Sequence, residues 1–256
     1  MNASNQTTNK TVLKSAEVLN LFLTNSRLSL AEIVQLSQSP KTSVYRMVRS
    51  LEDMGFLTKG GDGKYALGLL FLQFGNLVAE RLEIRHVARP VMTAIRDELG
   101  EAVSLIIPNG HEAIYIEKVD TTQPVRVYTQ TGRRAPLYAG ACPRILLSHL
   151  PEAVREAYLQ ETELVPIGRG TITDRQRLRD ALEESRANGY SVSYSELEDD
   201  SAAVAAPIFD HSGGLVAGLS IAGPESRFGA EHLPFLIERC KGAAWQISQQ
   251  LGWRGR

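Results

Sequence analysis

The stretch "SLAEIVQLSQSPKTSVYRMVRSLEDMGFLTKGGDGKYAL", residues 29–67, carries the decisive pattern. Two short helical patterns flank a tight turn, and a glycine-rich hairpin pattern follows. "SLAE" reads as a capping box: the Ser29 hydroxyl accepts from the Glu32 N–H while the Glu32 carboxylate reaches back. Leu30, Ile33 and Leu36 are expected to face inward. The next helix takes Ser39 as its cap and Pro40 as its first residue, where a missing N–H is harmless, and it stops at Gly55. Within it Val44, Met47, Val48 and Leu51 form one stripe, which at about 100° per residue leaves Thr42, Arg46, Arg49 and Asp53 opposite, flanked by Tyr45. "GFLTKGGDGKYAL" predicts a hairpin of residues 56–59 and 64–67 closed by "GGDG".

Upstream, Val12, Ala16, Leu19 and Leu23, widened by Leu13, Val18, Leu21 and Phe22, predict a first helix capped by Thr11. Downstream, residues 69–99 read as helix, divided in two by Pro90 and a break around Glu83. The apolar density of residues 69–78 exceeds what one small domain covers, which suggests contact with another subunit. Strands are expected over 102–107, 113–119, 125–129, 189–194, 202–209 and 215–222, and helices over 144–150, 152–161, 174–188 and 230–251. "PNGHE" and "DHSGG" close two hairpins, so the sheet is antiparallel and the class is α+β.

The 256 residues are enough for two domains, and 43% hydrophobic with 22% charged residues is the composition of an ordinary folded chain. The polar start lacks the apolar core of a leader, and no apolar run is long enough to span a bilayer, so a cytoplasmic protein is expected. Cys142 and Cys240 lie too far apart for a disulfide framework and read as buried thiols; the five histidines lack metal-ligand spacing, and no cofactor is implied. Net charge is −1 overall but uneven. Residues 1–67 hold eight Lys/Arg against five Asp/Glu, and the remainder 20 against 24. A small basic module on an acidic body fits local attraction to a polyanion.

Helix, capped helix, turn, capped helix and hairpin is the order of a winged helix-turn-helix, whose second helix meets base edges while the wing meets phosphate. Arg46 then suits guanine or phosphate; Lys41, Arg49, Lys59 and Lys64 suit phosphate; Thr42, Ser43 and Tyr45 add donors. The alternative is an assembly bundle attached to a metabolite-binding or enzymatic domain. That reading needs an activated nucleophile or an acid–base pair. Cys142, at a helix start, reads better as a small buried hydrophobe, and "ELEDD", residues 196–200, as a solvated loop. "TGRRAPLYAGACPR" suits a binding loop, its small residues leaving room beside free helix N–H groups.

The order of these motifs resembles the IclR-type transcriptional regulators of bacteria. The likeness rests on "LSLAEIVQLSQSPKTSVYRMVRSLEDMGFLTK" with "KYALG", "RPVMTAIRDELGEAVSLII", "EAIYIEKV", "GRRAPLYAGACPRILLS", "GYSVSYSELED" and "AVAAPIFDHSGGLVAGLSIAGPESRF", from about residue 10 to residue 251. It implies a winged helix-turn-helix domain (1–67), a linker helix that dimerises (68–83) and a GAF-like effector-binding domain (84–256). Such a protein, more often a repressor, binds pseudo-palindromic double-stranded operator DNA as a homodimer or homotetramer and answers to a small-molecule effector. Carried over by position, the effector pocket is lined by Val127, Ala135, Ala141, Cys142, Ser193, Ala203, Ser220 and Ala222. The chain departs from the family pattern at Pro143-Arg144, Asp200-Ser201, Ser193 and Ala203. Two hydroxyls, a thiol and little fixed charge then predict a ligand other than the small acids of the best-known members.

Overall fold

The computed structural model describes residues 9–81 and 83–255. The first eight residues of the expected 1–67 unit, Leu82 at the expected break, and Arg256 lie outside the described residues. The chain divides into two compact units, Met1–Arg81 and Leu82–Arg256.

The first unit runs α1 (Lys10–Asn20), a 3-10 turn, α2 (Leu30–Ser37), α3 (Lys41–Asp53), β1 (Leu57–Lys59), β2 (Tyr65–Leu67) and α4 (Leu70–Arg81). Its core joins Val18, Phe22 and Ile33 to the expected α3 stripe of Val44, Met47, Val48 and Leu51, closed by Leu57 and Tyr65 of the hairpin. The Ser29–Glu32 capping box forms in both directions. Gly55 takes φ +79°, a conformation that favours glycine, and its N–H bonds the Glu52 carbonyl to end α3. β1 and β2 pair antiparallel, Leu57 opposite Leu67, and Leu28 adds a bridge to Tyr65.

Four expectations fail here. The α1 face is rotated: Val12 and Leu23 are exposed while Val18 and Phe22 are buried, and the 3-10 turn Leu21–Leu23 changes the helical period where Phe22 turns in and Leu23 out. Its cap is Asn9, whose side chain accepts from the Thr11 and Val12 N–H groups. Ser39 does not cap α3; its hydroxyl donates to the Ser37 carbonyl at 3.2 Å, and Pro40 occupies the N-cap position. Leu36 is half-exposed, since α2 ends at Ser37 with Gln38 in the left-handed region.

The second unit is built on α5 (Glu83–Leu99), β3 (Ala102–Asn109), β4 (Glu112–Val119), β5 (Arg134–Pro136), α6 (Ala141–His149), α7 (Glu152–Glu161), α8 (Arg175–Asn188), β6 (Ser191–Tyr194), β7 (Ser201–Phe209), β8 (Leu215–Pro224) and α9 (Leu233–Gln250). Pro90 lies inside α5, so it does not mark the helix break. The six strands pair in the order β5-β4-β3-β8-β7-β6, antiparallel throughout. One sheet face is covered by α5 and α9, through Met92, Val103, Leu105, Val204, Leu219, Ile221 and Ile247. The other is covered in part by α6, on whose far side α8 packs, through Ile106, Ile145, Leu146, Leu178 and Ala205. Residues 125–129 form no strand, because the free edge of β4 is taken by β5, Ala113 opposite Ala135.

The chain end is tied to the sheet by aromatic rings. Trp253 stacks on Phe209 at 5.0 Å and meets Trp245 edge-on at 4.6 Å, while Phe209 also touches His149 at 5.5 Å. Burial pushes the His149 imidazole below its ordinary pKa.

Candidate functional site

Two places concentrate functional chemistry. The first is the outward face of α3, where Lys41, Thr42, Ser43, Tyr45, Arg46 and Arg49 are all exposed. A helix with one side wholly buried in Val44, Val48 and Leu51 has no freedom to turn, so this polar face is fixed outward. Arg49 lies 3.5 Å from Glu52, Lys64 of the wing lies 3.7 Å from Glu32, and the Lys59 ammonium sits over the Tyr65 ring at 5.5 Å. Exposed pairs of this kind contribute only about 0–1 kcal/mol, so an incoming polyanion can displace them. Among the described residues, Lys41 and Arg46 have no ion-pair partner at all.

The second is a cavity of about 50 Å³ against the sheet face left open beside α6. Its floor follows from strand register. Ser104 stands opposite Ser220, and Ser220 opposite Ala205; in the neighbouring row Ala102, Ala222, Ala203 and Ser193 succeed one another across β3, β8, β7 and β6. Side chains of one or two heavy atoms cannot fill the space above a pleated sheet, and the vacancy is the cavity. α6 approaches closely at one end: a Cβ added to Gly218 would lie 2.5 Å from the Cys142 sulfur.

Seven of the eight residues carried over for the effector meet around this cavity: Val127, Ala141, Cys142, Ser193, Ala203, Ser220 and Ala222. Ala135 does not. It sits on the edge strand β5 opposite Ala113 and is packed into the α6 core, beyond the residues that line the cavity. Cys142 is fully buried, and burial holds its thiol well above the ordinary cysteine pKa, which suits a packing role and not a nucleophile.

The sequence missed the charged part of the wall. Arg133 and Glu198 both line the cavity and pair at 2.7 Å, so its fixed charge is not small but balanced. Tyr115 and Thr129 also line it; burial pushes the Tyr115 phenol up to about 12. "ELEDD" is a solvated loop only at its end: Asp199 and Asp200 are exposed, but its first residue is not. Glu196 is buried against Arg144 at 2.6 Å and accepts the Gly140 N–H at 2.8 Å, so the start of α6 is partly occupied by the chain's own carboxylate. Arg144 also donates to Ser191 at 3.1 Å and to the Val192 carbonyl. The basic "RR" and the acidic "ELED" were visible as text, but nothing in linear order pairs them across the fold.

Against known proteins, a model of the IclR helix-turn-helix domain matches residues 11–61, and one of the bacterial transcriptional regulator IclR C-terminal domain matches residues 76–249. The chain belongs to the IclR family. It is 56% identical over 248 residues to the HTH-type transcriptional regulator KipR of Bacillus subtilis, covering 97% of this chain and 99% of that one. The crystal structure of Thermotoga maritima IclR superposes with a TM-score of 0.78 at 33% identity, over 95% of this chain and 99% of that one. An IclR homologue from Microbacterium hydrocarbonoxydans, crystallised with 4-hydroxybenzoate, gives 0.82 at 26% identity, over 94% and 98%. As an IclR-family member the chain is a DNA-binding transcriptional regulator with an effector-binding C-terminal domain, not an enzyme. Among the described residues no His/Cys/Asp/Glu group could hold a metal ion, and no helix is long and apolar enough to cross a membrane.

Proposed function

We propose that this IclR-family regulator is a cytoplasmic repressor that binds a pseudo-palindromic operator as a dimer or tetramer. In this reading residues 1–67 read DNA, 68–83 join two copies and 84–256 form a GAF-like sensor. The observation that carries it is the outward Thr42–Arg46–Arg49 face, locked in place by the buried side of α3. Arg46 reads a base, while Lys41, Arg49, Lys59 and Lys64 neutralise phosphates and Thr42, Ser43 and Tyr45 donate hydrogen bonds. Leu69, Leu72 and Leu77, all exposed, supply the apolar contact between copies. The effector enters the cavity beside α6, and the homologue crystallised with 4-hydroxybenzoate supports a small organic ligand. It works through a difference in affinity between DNA-competent and incompetent arrangements.

The test is DNA binding to fragments upstream of the chain's own gene. Arg46→Ala is expected to weaken operator binding by about 10- to 100-fold and relax base preference, while Lys64→Ala weakens all DNA alike and lowers the salt slope by about one. Wild-type binding by both variants would show that α3 is not the reading helix.

A further inference from the structure

The cavity wall presents opposite charges side by side. Arg133 comes from the connection before β5 and Glu198 from the turn between β6 and β7, and they meet at 2.7 Å. The Arg133 guanidinium is held over the Tyr115 ring at 5.7 Å and donates to the Tyr128 carbonyl at 3.3 Å. Thr129, which also lines the cavity, is only 8% exposed, and its buried hydroxyl has no hydrogen-bond partner. A buried hydroxyl without a protein partner is uncommon in folded proteins and keeps its donor free for another molecule.

These features select among ligand chemistries. A carboxylate alone would take Arg133 from Glu198 and leave two carboxylates facing each other. A cation alone would do the reverse and strand the guanidinium. An apolar molecule would leave Thr129 unsatisfied. A molecule carrying both an acceptor and a donor exchanges one ion pair for two interactions.

Taking the effector-cavity reading as given, we propose that the effector is an amphoteric molecule of amino-acid size, with one carboxylate and, close to it, an N–H donor, amino or amide. The carboxylate replaces Glu198 on Arg133 and receives the Thr129 hydroxyl; the N–H group replaces Arg133 on Glu198. The uncharged floor of Ser104, Ser220 and Ala222 limits the rest of the molecule to a short side chain.

The experiment is calorimetric titration of the full chain with the proteinogenic amino acids and their N-acetyl derivatives. Each is set beside the carboxylic acid lacking the nitrogen and the amine lacking the carboxylate. At least one amphoteric compound is expected to bind about tenfold or more tightly than both of its truncated forms. Glu198→Gln should erase that advantage over the nitrogen-free acid, with Glu198→Asp retaining part of it, and Thr129→Val should weaken both acids. The inference is overturned if no compound of the panel binds, if nitrogen-free acids bind as well as their parents, or if Glu198→Gln leaves the discrimination intact. A nitrogen-free acid that binds and alters DNA affinity would sink the amphoteric ligand while leaving the effector cavity standing. A bound amphoteric compound with no effect on DNA affinity would do the opposite.

Discussion

α3 and α6 each present a functional surface, yet their surroundings are opposite. α3 buries one stripe and gives the rest to water; every residue of α6 from Ala141 to Ser148 is buried. On α3 a charge costs little, needs no partner, and can be kept for another molecule. On α6 the one charge, Arg144, is enclosed and must be answered inside the fold by Glu196, Ser191 and the Val192 carbonyl. Exclusion of water, more than residue type, decides whether an arginine is available or structural.

The largest test of that contrast is Glu196→Leu, which leaves the Arg144 guanidinium buried without its carboxylate. It is expected to cost about 3–5 kcal/mol in chemical denaturation, with most of the loss recovered by adding Arg144→Met. A loss below about 1 kcal/mol would mean that solvent reaches the pair and that the surroundings of the two helices are alike. Next is Gly218→Ala, which forces a methyl group toward the Cys142 sulfur and lifts α6 from the sheet, costing about 1–3 kcal/mol. Adding Cys142→Ala should recover part of it, and simple additivity of the two changes would show that the contact is not what seats α6.

The smallest effect belongs to the solvated unit. Ser29→Ala removes the capping hydroxyl and is expected to cost about 1 kcal/mol. The Ser29 N–H holds the Glu32 carboxyl below its ordinary pKa. The carboxylate half of this cap therefore stabilises fully above the ordinary carboxylate range and is lost as pH falls through the lowered pKa. Melting the wild type and Ser29→Ala at neutral and acid pH measures that remaining half directly. A gap between the two that stays constant with pH would show the two bonds of the capping box to be independent.

Legibility in the sequence follows the same division. The α3 stripe, the capping box and the Gly55 stop could be read because water on one side forces a periodic pattern, and because caps use local residues. The antiparallel hairpins were readable from their turns. α6 was placed three residues late because a helix buried all round carries no polar face to time its start. β5 was missed because three residues with a proline pair with β4 only once the 120–133 connection has turned back. The small lining residues could be carried over by position, but the Arg133–Glu198 and Arg144–Glu196 pairs join segments that only the sheet brings together. Neither pair has a local signature.

The aromatic stack at the chain end has an optical consequence. Both tryptophans of the protein, Trp245 and Trp253, belong to it, and neither lies in the first unit. Tryptophan emission therefore reports the melting of the sensing unit alone, with no engineered label. Emission and helical circular dichroism followed on one sample resolve two transitions if the units melt separately, and merge if they melt together. Indole emission set beside circular dichroism thus measures whether occupation of the cavity is felt beyond the domain that holds it.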